Sequence, residues 1–203
     1  MAFAIATYDE RPDFWNYIGG RFYAEYVPIR QFRLKGQYNL QGTNYGYYRT
    51  EADAYAYALI TGMGAPEPYS GTDLAGNGYS ELYMKRPDGR FLNDGDMYES
   101  NTLPATYRTN EKDGMLIKSA ATSDGILKGE YFRRSLSANN GRITQTLGDN
   151  SPVMQLILSD PSVEVASFHT LPKSRYFTTP AGIMTARTSW DEGRNSDTVM
   201  AMM

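Results

Sequence analysis

Hydrophobic and polar positions follow a helical period most clearly in one stretch, Gly42–Gly64. Ala52, Tyr55, Ala56, Leu59 and Ile60 recur there at the three- and four-residue spacing of one helix face. Thr50 is a suitable N-cap, and Asp53 three residues on completes a capping-box-like pair. Alanines at 52, 54, 56 and 58 favour helix because they lose no side-chain entropy, and Gly62 can take the left-handed C′ conformation. The pattern predicts a helix over 51–61, with Asp53 and Tyr57 off its apolar stripe.

Elsewhere the pattern has period two or none. Ala2–Tyr8 is a short apolar run read as a strand or arm, and Pro12 can open a short helix over 13–18, stopped by Gly19-Gly20. Phe22, Ala24 and Tyr26, then Phe32 and Leu34, alternate with polar neighbours across Arg21–Lys35, which predicts extended chain broken at Pro28. Gly62–Ser80 has no period and reads as a long ordered loop or a boundary. Glu81–Asp94 reads as a hairpin about Pro87-Asp88-Gly89. Gly114–Ala121 and Ile126–Ser137 read as strands about Ser123-Asp124-Gly125, and Ala138–Gly141 as the turn of another hairpin. Val153–Leu158 suits a short helix or a buried strand equally.

These elements define an α+β, strand-dominated fold of antiparallel hairpins, with one firm helix and long irregular arms. Residues 1–170 form a single β-rich domain, with a possible boundary in 62–80, and 171–203 an extended C-terminal tail.

Composition narrows the function. The chain has 203 residues, enough for one ordinary core, and a net charge of −3, without the basic surplus of a dedicated nucleic-acid binder. With no cysteine, thiolate metal sites, cysteine nucleophiles and thioether-linked pigments are excluded. No run approaches a membrane span, and Met1–Tyr8 is too short and too weakly apolar for a signal peptide, so the expected location is a virion or the cytoplasm. Tyrosine outnumbers phenylalanine, 17 to 8, which suits either a wet core or interfaces.

Candidate chemistry is sparse. His169 is the lone histidine, lacks partners at a triad or metal spacing, and reads as structural. Asp94, Asp96 and Glu99 supply oxygen ligands that suit calcium, but they depart from the EF-hand spacing and equally suit turn chemistry. The glycines of 71–78 precede no Lys-Ser/Thr, which argues against a phosphate loop. No cofactor or catalytic set emerges, and the chain reads as a non-enzyme.

Tyr45, Tyr47 and Tyr48, with Met200, Met202 and Met203, are the candidate interface residues, since tyrosine suits half-buried contacts and methionine adapts to apolar grooves. The function expected is an architectural or adaptor subunit of a large assembly, such as a phage or virus particle, whose partners are other protein subunits. The alternatives are a linker polypeptide organising light-harvesting pigment proteins and a carbohydrate-binding β-rich module using Tyr45, Tyr47 and Tyr48 with Asp94 or Asp96.

Overall fold

A long helix runs from Pro12 to Lys35, in place of a short one over 13–18 followed by extended chain. The computed structural model describes residues 2–69, 71–92, 94–95, 118–120, 122–138, 156 and 158–203. Among the described residues helices predominate and the strands form one three-stranded antiparallel sheet, which overturns the strand-dominated expectation. The helices are α1 (Ala2–Ala6), α2 (Pro12–Arg21), a π segment (Phe22–Tyr26), α3 (Val27–Lys35), α4 (Thr43–Gly62), α5 (Gly71–Met84) and α6 (Gly125–Ala138). A 3₁₀ turn at Phe168–Thr170 precedes the strands β1 (Ser174–Phe177), β2 (Ile183–Arg187) and β3 (Met200–Met202).

Pro12 opens α2 where a missing amide hydrogen costs nothing. Gly19-Gly20 does not stop it, because the backbone stays helical through Phe22. Pro28 then lies inside a continuous helix, where its ring would crowd the carbonyl four residues back. The chain widens to the π segment just before it, and the Val27 amide donates to the Phe22 carbonyl, five residues back. Val27 and Leu34, two helical turns apart, are buried on one side. That seven-residue spacing, not the period-two alternation, organises Arg21–Lys35.

The helix expected at 51–61 is the second half of α4. Its N-cap is Gly42 at φ 87°, where a Cβ would stand 2.3 Å from the Asp94 carbonyl. At the C-terminus Gly64, not Gly62, takes the left-handed position at φ 76°. The Ala65 amide donates to the Ile60 carbonyl and the Gly64 amide to the Thr61 carbonyl, a Schellman motif. The buried face differs from the predicted stripe. Asp53, Ala54 and Ile60 are buried, whereas Ala52 and Leu59 are exposed.

Three further segments are helical: 71–84, read as loop through Ser80 and then as a hairpin flank; and 118–120 and 126–137, both read as strand. In α5, Glu81, Leu82, Tyr83 and Met84 are all buried, so the helix presents no polar face there and shows no period. The Pro87-Asp88-Gly89 turn is present, with Gly89 at φ 81°, but its flanks pair only through a bridge between Lys85 and Phe91. In α6, Leu127, Lys128, Glu130 and Tyr131 are buried, and the two charged members disguise a helical spacing. Lys128 Nζ donates to the Val163 carbonyl at 2.7 Å, and Arg133 grips Glu130 through two bonds of 2.6 and 2.7 Å. Asp124 caps α6 by accepting from the Ile126 and Leu127 amides. Ala2–Tyr8 is likewise helical at α1. Of the turn read at Ala138–Gly141, Ala138 ends α6 and the rest lies outside the described residues, as do the strand 142–147 and all of the run Val153–Leu158 except 156 and 158.

Residues 171–203, read as a tail, hold an antiparallel sheet in the order β1-β2-β3. Arg175 faces Thr185 and Thr185 faces Met202. α5 packs on β2 and α6. The central core lies there: Tyr38, Leu82, Tyr83, Met84, Phe91, Leu127, Tyr131, Phe168, Phe177 and Trp190. The Trp190 indole donates to the Leu171 carbonyl and Tyr83 Oη to the Pro172 carbonyl, so the aromatic core keeps its polar tips bonded.

Candidate interaction surface

The surface begins with the helix that runs from Pro12 to Lys35, roughly 35 Å long at the α-helical rise. One edge of it is buried, through Gly19, Val27 and Leu34. The Trp15 indole covers Gly19, where a Cβ would lie 3.2 Å from the ring. Tyr17, Tyr23, Ile29 and Phe32 face outward.

A polar knot at Asp53 fixes this helix to α4. Arg30 Nε lies 3.2 Å from Asp53 Oδ1, and that oxygen also accepts from Tyr26 Oη at 3.1 Å and Tyr69 Oη at 3.3 Å. The Arg30 guanidinium lies 4.9 Å from the centre of the Tyr26 ring. Nearby, Gln31 Nε2 donates to the Pro68 carbonyl. Burial raises the Asp53 carboxyl above its ordinary value, and Arg30 opposes the shift without cancelling it. The Tyr69 hydroxyl is likewise pushed up, first by burial and then by Asp53.

A raised carboxyl value means that the native state holds the proton better than the unfolded chain does. The associated stability is present at low pH and is lost as pH rises from the ordinary 3.8 through the folded value. Across that acidic interval the wild type is expected to lose stability relative to Asp53→Asn as pH increases. Urea unfolding of both proteins at stepped pH checks this, and parallel curves would contradict it.

A groove opens where α1, α2 and the end of α4 meet. Ile5, Ala6, Tyr8, Asp9, Trp15, Met63 and Ala65 line it, around a volume of about 510 Å³. Edge-on ring contacts hold its walls: Phe3 with Phe14 at 5.9 Å, and Tyr8 with Trp15 at 6.5 Å between centroids. The Schellman end of α4 delivers Met63 and Ala65 to the opposite wall.

The residues singled out from the sequence do not gather here. Tyr45, Tyr47 and Tyr48 belong to α4, with Tyr45 half-buried. The carbohydrate-binding alternative rested on a β-rich scaffold, which this fold does not have. Met200 and Met202 lie on the edge strand β3, and Met203 continues its pairing through two bonds to Met184. Asp94 is buried and accepts a hydrogen bond from Tyr38 Oη. Asp96 and Glu99 lie outside the described residues. Among the described residues no three His, Asp or Glu side chains are grouped to hold a metal ion.

Tyr38, Asn39, Gly42, Thr50, Asn77, Ser80 and Glu81 line a small cavity with about 10 Å³ open to the centre of a water molecule, room for one water rather than a substrate. His169 is exposed and stacks on Phe168 with centroids 4.4 Å apart. Sequence reasoning missed Tyr8, Asp9, Ile29, Phe32 and Met63. Ile29 with Phe32, on a segment read as extended, carried the one usable signal: large apolar residues at helical spacing that the buried edge does not use.

No protein-family model matches the chain, and no curated protein matches it.

Proposed function

We infer that this chain is a non-enzymatic architectural subunit of a larger protein assembly, of the kind that builds a phage or virus particle. The observation that carries this reading is the exposure of large apolar side chains along the first helices. Phe3 is 70% exposed, Tyr17 60%, Ile29 64% and Phe32 56%. Fully burying a side chain of this size contributes about 1.5–3 kcal/mol, so a folded chain that leaves several of them in water keeps a large contact energy in reserve. No helix among the described residues is long and apolar enough to cross a membrane, which favours protein partners for this surface. The edge strand β3, with Val199 and Met203 exposed beside it, offers a second contact.

The test is sedimentation of the tagged chain in lysate from its own host. Co-sedimentation with a particle much heavier than one chain is expected. Migration as a single chain under all growth conditions would overturn the reading.

A further inference from the structure

Two surfaces at opposite ends of the Pro12–Lys35 helix are complementary. The groove near Trp15 has an apolar and aromatic floor, and Asp9 lines it while no basic residue does among the described residues. Glu10 stands next to Asp9. Both are exposed, and neither makes an ion pair among the described residues. The outward face of α3 is the reverse. Pro28, Ile29 and Phe32 are exposed and apolar, Lys35 is exposed without an ion pair among the described residues, and α3 contains no acidic residue. Ile29, Phe32 and Lys35 follow one another at three-residue steps, so two apolar side chains and a cation lie along roughly 9 Å of one helix face. A groove of about 510 Å³ is of the size that receives a few large side chains, here with carboxylates at its rim.

We propose that the α3 face of one copy docks in the groove of a second copy, joining the chains head to tail. This rests on the assembly reading above and names the partner. The contact is intermolecular because a continuous helix holds Trp15 and Ile29 roughly 20 Å apart, so a chain cannot reach its own groove with its own α3. It is heterologous, since each copy uses a different patch, and it therefore closes into a ring or extends as a filament. Its charged rim makes it weaken with added salt.

The experiment is light scattering after size exclusion on the purified full chain, across protein and salt concentrations. The mass is expected to climb above one chain with concentration and to fall with salt. Phe32→Glu and Met63→Glu each return it to one chain, with helical circular dichroism unchanged because both side chains are about half exposed. Ile29→Ser serves as the second α3 variant should Phe32→Glu fail to fold. The decisive sample is an equimolar mixture. Phe32→Glu keeps its groove and Met63→Glu keeps its α3 face, so together they form a dimer and nothing larger. A wild type that is a single chain at every concentration overturns the proposal. So does assembly indifferent to both substitutions, or a mixture that stays monomeric. If the purified chain is a monomer but sediments with a heavy particle in its host, self-docking falls and the assembly reading stands.

Discussion

Asp53→Ala is expected to cost the fold about 3–5 kcal/mol at neutral pH, the largest loss of any single substitution in the N-terminal helices. The Arg30–Asp53 pair is not itself a net source of stability. The carboxyl is raised, so burial costs this group more than Arg30 returns. What is costly is removing half of the arrangement. Alanine leaves the Arg30 guanidinium, whose side chain is 12% exposed, without its carboxylate 3.2 Å away. It also strips the acceptor from the phenols of Tyr26, which is 36% exposed and can turn to water, and of Tyr69, which is buried, and an unsatisfied buried donor costs about 1–3 kcal/mol. Asp53→Asn keeps an acceptor oxygen and is expected to cost about 1–2 kcal/mol. Replacing both partners, Arg30→Met with Asp53→Leu, is expected to recover the part of the alanine loss that comes from the orphaned guanidinium, because the desolvation cost leaves with the charges, while the Tyr69 phenol stays without its acceptor. Urea unfolding of the four proteins checks the ranking. A cost for Asp53→Ala within about 1 kcal/mol of zero would remove this knot from the account of how the long helix is held.

The same residue explains why much of the fold was illegible in the sequence. A period reading treats aspartate as outward-facing, and so placed Asp53 off the stripe of the α4 helix. Its partners Arg30, Tyr26 and Tyr69 come from distant sequence and make an inward carboxylate tolerable. Lys128 and Glu130 in α6 act likewise, as does Lys85 after α5, whose Nζ lies 2.7 Å from Glu192. Buried charges interrupt the hydrophobic spacing, and the fragments left between them are short enough to mimic alternating strands. What was legible depended on local backbone chemistry: Pro12 at a helix start, the Pro87-Asp88-Gly89 turn, and the alanine-rich half of α4. Of the candidate surface, the groove could not be read, and the outward face of α3 left only the Ile29–Phe32 spacing as a signal. The groove joins residues 5–15 to Met63 and Ala65, and that juxtaposition is tertiary.

Gly129→Ala is expected to destabilise the protein by about 2 kcal/mol, against the helix propensity of the two residues. Within a helix, alanine is better than glycine by about 1 kcal/mol, so propensity alone predicts a gain. Gly129, however, faces the 164–166 segment. A Cβ there would lie 2.5 Å from the Ala166 carbonyl oxygen and 3.1 Å from Val165 Cγ1. One turn earlier, a Cβ on Gly125 would lie 2.2 Å from the Glu164 carbonyl oxygen. The opposing atoms are backbone, held by the Ala166 amide donating to the Gly125 carbonyl at 2.9 Å and by Lys128 on the Val163 carbonyl. They cannot swing aside as a side-chain tip would. Overpacking of this kind costs about 1–3 kcal/mol and outweighs the propensity gain. Gly20→Ala supplies the opposite sign, because its site on α2 is exposed with nothing within 4 Å, and it is expected to stabilise by up to about 1 kcal/mol. Urea unfolding of the pair decides between the two terms. If both alanines stabilise, the 164–166 backbone does not rest on α6, and the path that carries the chain from α6 to Phe168 and the sheet must be drawn differently. If the signs split, the two glycines of α6 are there to let a backbone approach, and the contact they admit is what brings Phe168 under the Arg133 guanidinium and against Trp190.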